Sequence, residues 1–337
     1  MNAAEPFAGP FSGKRVLITG GLGFLGSNLA RELVGVGARV VIVDSLVPEY
    51  GGNFANLAGI EDRVTVNISD VRDQHSLAPL LRGQDVLFNL AGQTSHLDSM
   101  TDPLTDLEIN CRSQLSILEA CRRHNPEVKI VFASTRQIYG RPRYLPVDEE
   151  HPVAPVDVNG IDKAAGEAYH LLYGEVYGLR VCALRLTNTY GPRMRVRDAR
   201  QTFLGVWLKA VLRGERIEVW GDGSQRRDLL YVDDAVRAFL LAAARDDADG
   251  EVFNVGVDAS VSLLELAELL VAIHGGGSVE VVPFPPERKA IDIGDYFTRA
   301  ERIHAALGWQ AETPLEAGLR RTLDYYAERG EAYWDEP

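Results

Sequence analysis

Residues 19–30 read TGGLGFLGSNLA, a glycine-rich turn that directly follows the apolar run RVLITG and opens a helical pattern. Gly20 permits a tight turn, Gly23 lets the main chain approach a pyrophosphate, and Gly26 allows a helix to pack closely on a strand. The free N–H groups at the start of that helix, and the positive end of its dipole, favour an anion. The stretch therefore predicts a strand, a phosphate-binding turn and a helix.

Further apolar runs of four to six residues recur along the chain, with amphipathic stretches between them. They are RVVIVD (39–44), RVTVNI (63–68), DVLFNL (85–90) and KIVFAS (129–134). Such runs are typical of strands that are buried on both faces. The longest amphipathic stretch, 103–124, predicts one continuous helix. The alternation predicts an α/β fold with a doubly wound parallel sheet, as in a Rossmann domain.

The strand–helix rhythm loosens after RVCALRL (180–186), where Pro/Gly clusters become frequent. With 337 residues the chain exceeds what one compact core usually holds. We therefore expect a Rossmann domain over residues 13–186 and a second, smaller α/β substrate lobe over 187–333. The segment at about 229–256 is expected to return to the first domain.

The composition, 46% hydrophobic and 25% charged residues, is that of an ordinary globular protein. A net charge of −13 argues against a nucleic-acid partner, which needs a basic face. The amino-terminal residues lack a long apolar run, so neither a signal peptide nor a membrane anchor is expected. Three cysteines without ligand-like spacing predict reduced thiols in a cytoplasmic protein and no metal site.

An acidic residue, Asp44, ends the second apolar run 24 positions after Gly20. A carboxylate at that point accepts hydrogen bonds from the adenosine ribose hydroxyls and repels a 2′-phosphate. Together with the glycine turn, Asp44 predicts that the cofactor is NAD and not NADP.

Later motifs appear in a characteristic order and spacing. After the glycine turn come NLAGQ (89–93), ASTRQIYG (133–140), LRLTNTYGPR (184–193) and GDGSQRRDLLYVDD (221–234). Over residues 14–327 the chain resembles the extended short-chain dehydrogenases/reductases, the NAD-dependent sugar-nucleotide epimerases and dehydratases. This resemblance implies a nucleoside-diphosphate sugar as the substrate.

The resemblance also implies roles for individual residues. The implied cofactor site consists of Gly20, Gly23, Phe24, Leu25, Gly26, Asp44, Ser45, Asp70, Val71, Leu90, Ala91, Gly92 and Lys163. Thr135 would hydrogen-bond the reacting sugar oxygen, and Lys163 would hold the nicotinamide ribose. The implied substrate contacts are Thr94, Asn188, Arg227 and Arg288, with Lys289 as an alternative to Arg288.

A homodimer is the assembly that the resemblance implies, built from helices around 103–124 and 159–177. The apolar positions expected in this four-helix seam are Ile117, Leu118, Ala120, Ala165, Ala168 and Leu172.

The stretch VNGIDK (158–163) departs from the family pattern. Four residues before Lys163 the family keeps a tyrosine that acts as general base, and this chain has Asn159. An amide cannot accept the proton near neutral pH. The chain also has Arg136 and Gln137 where the family's dehydratases have Asp-Glu, so elimination of water is disfavoured.

Three explanations of Asn159 remain open. Another group carries the proton, the protein binds without turnover, or the substrate or a water chain replaces the side chain. We favour the first, with His96 as the base because its intrinsic pKa suits the task. Tyr144, His151 and Asp162 are further candidates.

The sequence therefore favours an epimerase of a nucleoside-diphosphate sugar that uses NAD and a transient keto-sugar. The catalytic residues would be Thr135, Lys163, Asn159 and His96. One alternative is a sugar-nucleotide dehydrogenase or dehydratase. The other is a catalytically impaired protein that binds NAD and a nucleotide sugar.

Overall fold

The computed structural model describes residues 7–50, 52–200 and 202–334. The strands are β1 Arg15–Thr19, β2 Arg39–Asp44, β3 Val64–Ile68, β4 Val86–Asn89, β5 Lys129–Thr135, β6 Arg180–Leu186, β7 Asn188–Tyr190, β8 Arg216–Trp220, β9 Arg226–Arg227, β10 Leu229–Tyr231, β11 Val252–Val255, β12 Val261–Ser262 and β13 Ser278–Val282. The helices are α1 Ala8–Phe11, α2 Phe24–Gly35, α3 Gln74–Leu81, α4 His96–Thr101, α5 Pro103–Leu107, α6 Ser113–His124, α7 Val158–Tyr177, α8 Phe203–Leu212, α9 Val232–Ala244, α10 Leu263–His274, α11 Pro286–Lys289, α12 Glu301–Leu307, α13 Leu315–Arg329 and α14 Glu331–Trp334.

A seven-stranded parallel sheet forms the centre of the molecule, in the order β11-β6-β5-β4-β1-β2-β3. Every residue of β4 is buried, as are all residues of β5 except the last. Helices cover both faces, which explains why these strands are apolar throughout. The predicted doubly wound Rossmann sheet is confirmed. The strand order reverses between β1 and β4, and ligands bind at the carboxyl ends of strands at such a point.

The turn after β1 depends on two of its glycines. Gly20 has a φ of 71°, a conformation that residues with a side chain rarely adopt. A Cβ atom on Gly26 would lie 2.3 Å from the carbonyl oxygen of Gly20, so no larger residue fits there. Helix α2 then begins at Phe24, and the residue before it, Gly23, supplies no side-chain cap. The first N–H groups of α2 are therefore left for a ligand.

The prediction of one continuous helix over 103–124 is wrong. Helix α5 ends at Leu107, a π-helical turn follows over Glu108–Arg112, and α6 begins at Ser113. The wider turn places Asn110 inside, where its amide nitrogen donates to the carbonyl of Gln93 at 2.9 Å and to Asp106 Oδ1 at 3.0 Å.

Three two-stranded sheets lie outside the large sheet: β8 with β13, β7 with β10, and β9 with β12. Strand β11, which ends the segment 229–256, lies in the large sheet beside β6. This placement supports the proposed division of the chain into two interleaved lobes near residue 187. None of the described helices is long and apolar enough to cross a membrane. The cytoplasmic location stays a prediction.

Candidate active site

Two adjoining cavities open at the carboxyl ends of β1, β2, β4 and β5. The first encloses about 830 Å³ of space, part of which is open to solvent, and it is lined by every predicted cofactor residue except Lys163. Its walls are completed by Val43, Val47, Tyr50, Gly52, Arg72, Thr94 and Ile109. The structure thus brings together residues from five separate segments of the sequence.

Asp44 lies at the end of β2 with its carboxylate turned toward the glycine turn. Oδ2 accepts the N–H of Leu22 at 3.0 Å, and Oδ1 accepts the N–H of Leu46 at 2.9 Å. Burial raises the pKa of Asp44, and the N–H groups of Leu46, Leu22 and Ser45 oppose that rise. The two contacts fix the carboxylate in place, and a carboxylate has further lone pairs for two ribose hydroxyls.

Asp70, also in the first cavity, is paired with Arg72. The guanidinium binds both carboxylate oxygens, with Nη2 at 2.6 Å from Oδ2 and Nε at 3.0 Å from Oδ1. The hydrogen bonds from Arg72 hold the pKa of Asp70 below its usual value. The sequence interpretation missed Arg72, although it stands only two residues after Asp70.

The second cavity encloses about 890 Å³, also partly open to solvent, and shares Phe24, Leu25, Leu90, Gly92 and Thr94 with the first. All four predicted catalytic residues line it: His96, Thr135, Asn159 and Lys163. The hydroxyl oxygen of Thr135 accepts the N–H of Gln137 at 3.2 Å. Because that oxygen acts as an acceptor there, the hydroxyl hydrogen of Thr135 is left to donate to a ligand oxygen.

Lys163 is buried between β5 and the first cavity's wall. Its ammonium donates to the carbonyl of Ala133 at 3.1 Å and lies 5.1 Å from the centre of the Phe132 ring. Burial lowers the pKa of Lys163 to about 8, and the negative charge of Asp106 opposes the fall. At neutral pH the side chain therefore remains mainly a cation. A Cβ atom on Gly92 would lie 3.0 Å from this ammonium, so Lys163 reaches the boundary of both cavities.

Asn159 is only 3% exposed, and its amide nitrogen is directed into the protein. It donates to the carbonyl of Gln93 at 2.8 Å and to Asp106 Oδ2 at 3.2 Å. The other carboxylate oxygen of Asp106 accepts from Asn110. Asn159 thus stabilises a fully buried carboxylate that the sequence interpretation missed. A phenol at this position has no amide hydrogens to offer to both acceptors.

Asp106 also has an acidic neighbour, Asp162, one turn along α7 from Asn159. Burial, together with the contact and charge of Asp106, raises the pKa of Asp162 to about 7. Neither carboxylate is among the residues that line the two cavities. We therefore assign this pair to the support of Asn159 and not to proton transfer with the ligand.

His96 begins α4 and faces the second cavity with a carboxylate behind it. Its Nδ1 lies 3.0 Å from Oδ2 of Asp157, an oxygen that also accepts Nε2 of Gln137 at 2.8 Å. Oδ1 of Asp157 caps α7 by accepting the N–H of Gly160 at 2.7 Å. Burial opposes ionisation of Asp157, but His96, Gly160 and Gln137 together lower its pKa. Nδ1 is within ion-pair distance of this carboxylate, but the two groups are not aligned for a hydrogen bond. A hydrogen on Nδ1 would be attracted by the carboxylate and would leave Nε2 as the proton acceptor.

Asp157 was not predicted from the sequence. It stands immediately before the helical pattern of α7, and aspartate is a preferred residue at a helix N-cap. The capping role was readable from that position. The contact with His96 was not, because the two residues are 61 positions apart.

The other predicted candidates are placed less favourably. Tyr144 donates to Asp148 at 2.6 Å, and His151 accepts the N–H of Arg143 at 2.8 Å. Neither lines the two cavities, so the structure gives them no contact with the reaction site.

The predicted substrate contacts are only partly brought together. Thr94 and Asn188 line the second cavity, whereas Arg227 does not. The Arg227 guanidinium donates to the carbonyls of Arg226 at 2.9 Å and Gly294 at 2.6 Å. Burial and the charge of Arg136 lower its pKa to about 10. The side chain of Arg288 lies outside the described residues.

Comparisons with known proteins identify the family. Residues 16–256 match the model of the NAD dependent epimerase/dehydratase family. The chain is 30% identical to a UDP-glucose 4-epimerase of Mycolicibacterium smegmatis, covering 94% of this chain and 100% of that protein. It is 31% identical to a dTDP-glucose 4,6-dehydratase of Streptomyces niveus, covering 95% of each.

A solved structure agrees with these relatives. The UDP-glucose 4-epimerase of Thermus thermophilus, in complex with NAD, is 30% identical and superposes with a TM-score of 0.82. The match covers 93% of this chain and 98% of that one. The fold, the glycine turn at the sheet's switch point and the fixed Asp44 carboxylate agree with that cofactor. The chain therefore belongs to the NAD-dependent epimerase/dehydratase family of the extended short-chain dehydrogenases/reductases, and NAD is its cofactor.

Proposed function

We propose that the protein epimerises a nucleoside-diphosphate sugar through a transient keto-sugar, with His96 as the proton carrier in place of the family's tyrosine. The observation that carries the proposal is the position of His96. It faces the cavity that holds Thr135 and Lys163, and it is backed by the buried carboxylate of Asp157. A histidine oriented by a carboxylate is a common general base.

The described side chains support a complete proton balance. Thr135 donates its hydroxyl hydrogen to the reacting sugar oxygen and orients it. Nε2 of His96 accepts the hydroxyl proton as hydride leaves the same carbon, and the Asp157 carboxylate stabilises the resulting imidazolium. NAD, when bound, supplies the hydride acceptor and returns the hydride. After the keto-sugar turns its other face to the cofactor, His96 gives the proton back and no net oxidation remains.

Elimination of water is the less favoured reaction at this site. The two residues after Thr135 are Arg136 and Gln137, and neither supplies the carboxyl group that the dehydratases of this family use. The amide of Gln137 is committed to Asp157 at 2.8 Å. A simple dehydrogenase is the nearest alternative, since it needs the same oxidation step without the return of hydride.

A panel of nucleotide sugars tests the substrate class. Thermal shifts are measured with UDP, dTDP, GDP and CDP sugars, and those that stabilise the protein are incubated with it. We expect one nucleotide series to raise the melting temperature and its sugar to be converted to an epimer. If no nucleotide sugar stabilises the protein, the proposed substrate class is wrong.

Replacing Asp44 with serine should weaken the binding of NAD by about 10- to 100-fold, because two charge-assisted hydrogen bonds to the ribose are lost. NADP should be affected less, since the repulsion of its 2′-phosphate disappears at the same time. Titration calorimetry with NAD and with NADP gives the ratio of their dissociation constants for the wild type and for the variant. Equal weakening of NAD and NADP would contradict the assigned role of Asp44.

We propose a homodimer, with a seam that differs from the predicted one. Ile117, Leu118 and Ala120 are buried against the protein's own sheet, so they cannot form it. Helices α5 and α7 carry exposed apolar side chains that could form the seam instead. They are Leu104, Leu107, Ile161, Leu172, Val176 and Tyr177. A second copy of the chain that pairs these helices antiparallel would bury this surface.

The exchange of Leu172 for glutamate should give a monomer at micromolar concentration, because a carboxylate cannot be buried in an apolar seam. The matched control is the same exchange at Ile68, which lies on the outer strand β3. Its exposure of 52% is close to the 48% of Leu172. Multi-angle light scattering reports the mass. A wild-type protein that is already monomeric removes the proposal.

A further inference from the structure

One cation in the second cavity has no anionic partner in the described part of the chain. Arg136 directly follows Thr135 and lines the same cavity. Its Nη2 donates to the neutral Oδ1 of Asn188 at 2.9 Å, and its guanidinium lies 5.1 Å from the centre of the Tyr296 ring. Its Nη1 is buried and has no hydrogen-bond partner. A buried cation in this state is unfavourable unless an anion joins it.

The surroundings of Arg136 do not neutralise it. Asp228, Asp157 and Asp292 act on it only through space, and burial lowers the pKa of its side chain. A second buried guanidinium, that of Arg227, is close enough for the two charges to repel each other. Asp157 and Asp228 accept hydrogen bonds from Gln137 and Thr187, respectively. Among the described residues no carboxylate pairs directly with the Arg136 guanidinium, which leaves Nη1 for an anion that enters the cavity.

We infer that Arg136 binds a carboxylate on the sugar itself, so that the substrate is an acidic sugar nucleotide of the uronate type. The inference rests on the proposed function. Arg136 and Thr135 are adjacent in sequence and line one cavity, so an anion at Arg136 belongs close to the reacting carbon held by Thr135. The planar guanidinium suits a carboxylate, and a small rotation of the side chain turns Nη1 toward it.

The test compares ligands that differ only in the sugar carboxylate. Titration calorimetry is run in the presence of NAD with UDP, UDP-glucose and UDP-glucuronate, and with GDP, GDP-mannose and GDP-mannuronate. Each series is repeated for Arg136→Met and for Arg39→Met, which removes an exposed arginine at the opposite end of the sheet. Thermal melting without ligand shows that both variants are folded.

The wild type and Arg39→Met should bind a uronate at least tenfold more tightly than its neutral counterpart. Arg136→Met should weaken the binding of the uronate by about 10- to 100-fold. Its affinities for the neutral sugar nucleotide and for the free diphosphate should stay within threefold of the wild type. Its ligand-free melting temperature should not fall. Where Arg136→Met unfolds, Arg136→Lys serves instead, and the uronate preference should shrink because the forked donor is lost.

Two results overturn the inference while leaving the proposed function intact. One is equal binding and turnover of neutral and acidic sugars by the wild type. The other is an equal loss of affinity for the uronate and for the free diphosphate in Arg136→Met, which would show that the guanidinium binds the diphosphate. A uronate that binds as expected without being epimerised overturns the proposed function alone. Binding of neither series overturns both.

Discussion

Exchanging His96 for asparagine is expected to lower kcat by about two to four orders of magnitude, the usual cost of losing a general base. The asparagine amide nitrogen can occupy the place of Nδ1 and keep the contact with Asp157, while the ring nitrogen that carries the proton is gone. The affinity for NAD should change by less than about threefold, because His96 does not line the first cavity. Steady-state kinetics and cofactor titration give the two values.

The matched control is His124→Asn, which changes an exposed histidine at the end of α6. Its kcat should equal that of the wild type. A His96→Asn protein that keeps more than a third of the wild-type kcat would show that the proton travels by another route. The substrate itself or a chain of water molecules would then be the remaining explanation.

Exchanging Asn159 for tyrosine, the residue that the resemblance implies at this position, is nevertheless expected to reduce activity by about tenfold or more. Asn159 is 3% exposed, so a phenol is too large for its place. The exchange also removes the amide that donates to Asp106 and to the carbonyl of Gln93. Asn110 still donates to the carbonyl of Gln93 and to Oδ1 of Asp106, so Oδ2 of Asp106 is the acceptor that loses its donor. Leaving this buried oxygen without a donor should lower the free energy of unfolding by about 1–3 kcal/mol.

Asn159→Leu separates the two effects, because it removes the amide without adding a phenol. Both variants should lose stability in urea denaturation, and Asn159→Tyr should be the less active of the two. A large gain in activity for Asn159→Tyr would mean that the native site merely lacks its base. The assignment of His96 would then be abandoned.

The fold was predictable because its signals are local. The inner strands of the large sheet from β1 to β6 are short apolar runs, and burial on both faces demands that pattern whatever the surrounding structure. The edge strand β3 is the exception, because none of its residues is fully buried. The π-helical turn at Glu108–Arg112 was not predictable in this way. It depends on Asn110 finding partners in Gln93 and Asp106, and only one of them is near it in sequence.

The candidate site also combines residues with local sequence signals and residues that meet only through the fold. The glycine turn and Asp44 are recognised from their spacing along the chain. The structure brings them into one cavity with Asp70 and Leu90. The pairing of His96 with Asp157 arises only when α4 meets the start of α7.

The burial of Ile117 shows a different limit, since helical periodicity does not say which apolar face meets the sheet and which meets a second protein. For that reason Ile117, Leu118 and Ala120 were predicted for the dimer seam, although they are buried within the chain's own core. The dimer itself stays a prediction.

The most direct test of epimerisation is product analysis with the cofactor followed at the same time. The protein is incubated with each nucleotide sugar that stabilises it, the products are identified by NMR, and the absorbance of reduced nicotinamide is recorded. We predict that an epimer accumulates without a net build-up of reduced cofactor. Reduced cofactor formed in proportion to an oxidised sugar, a product that has lost water, or no conversion of a bound sugar would contradict it.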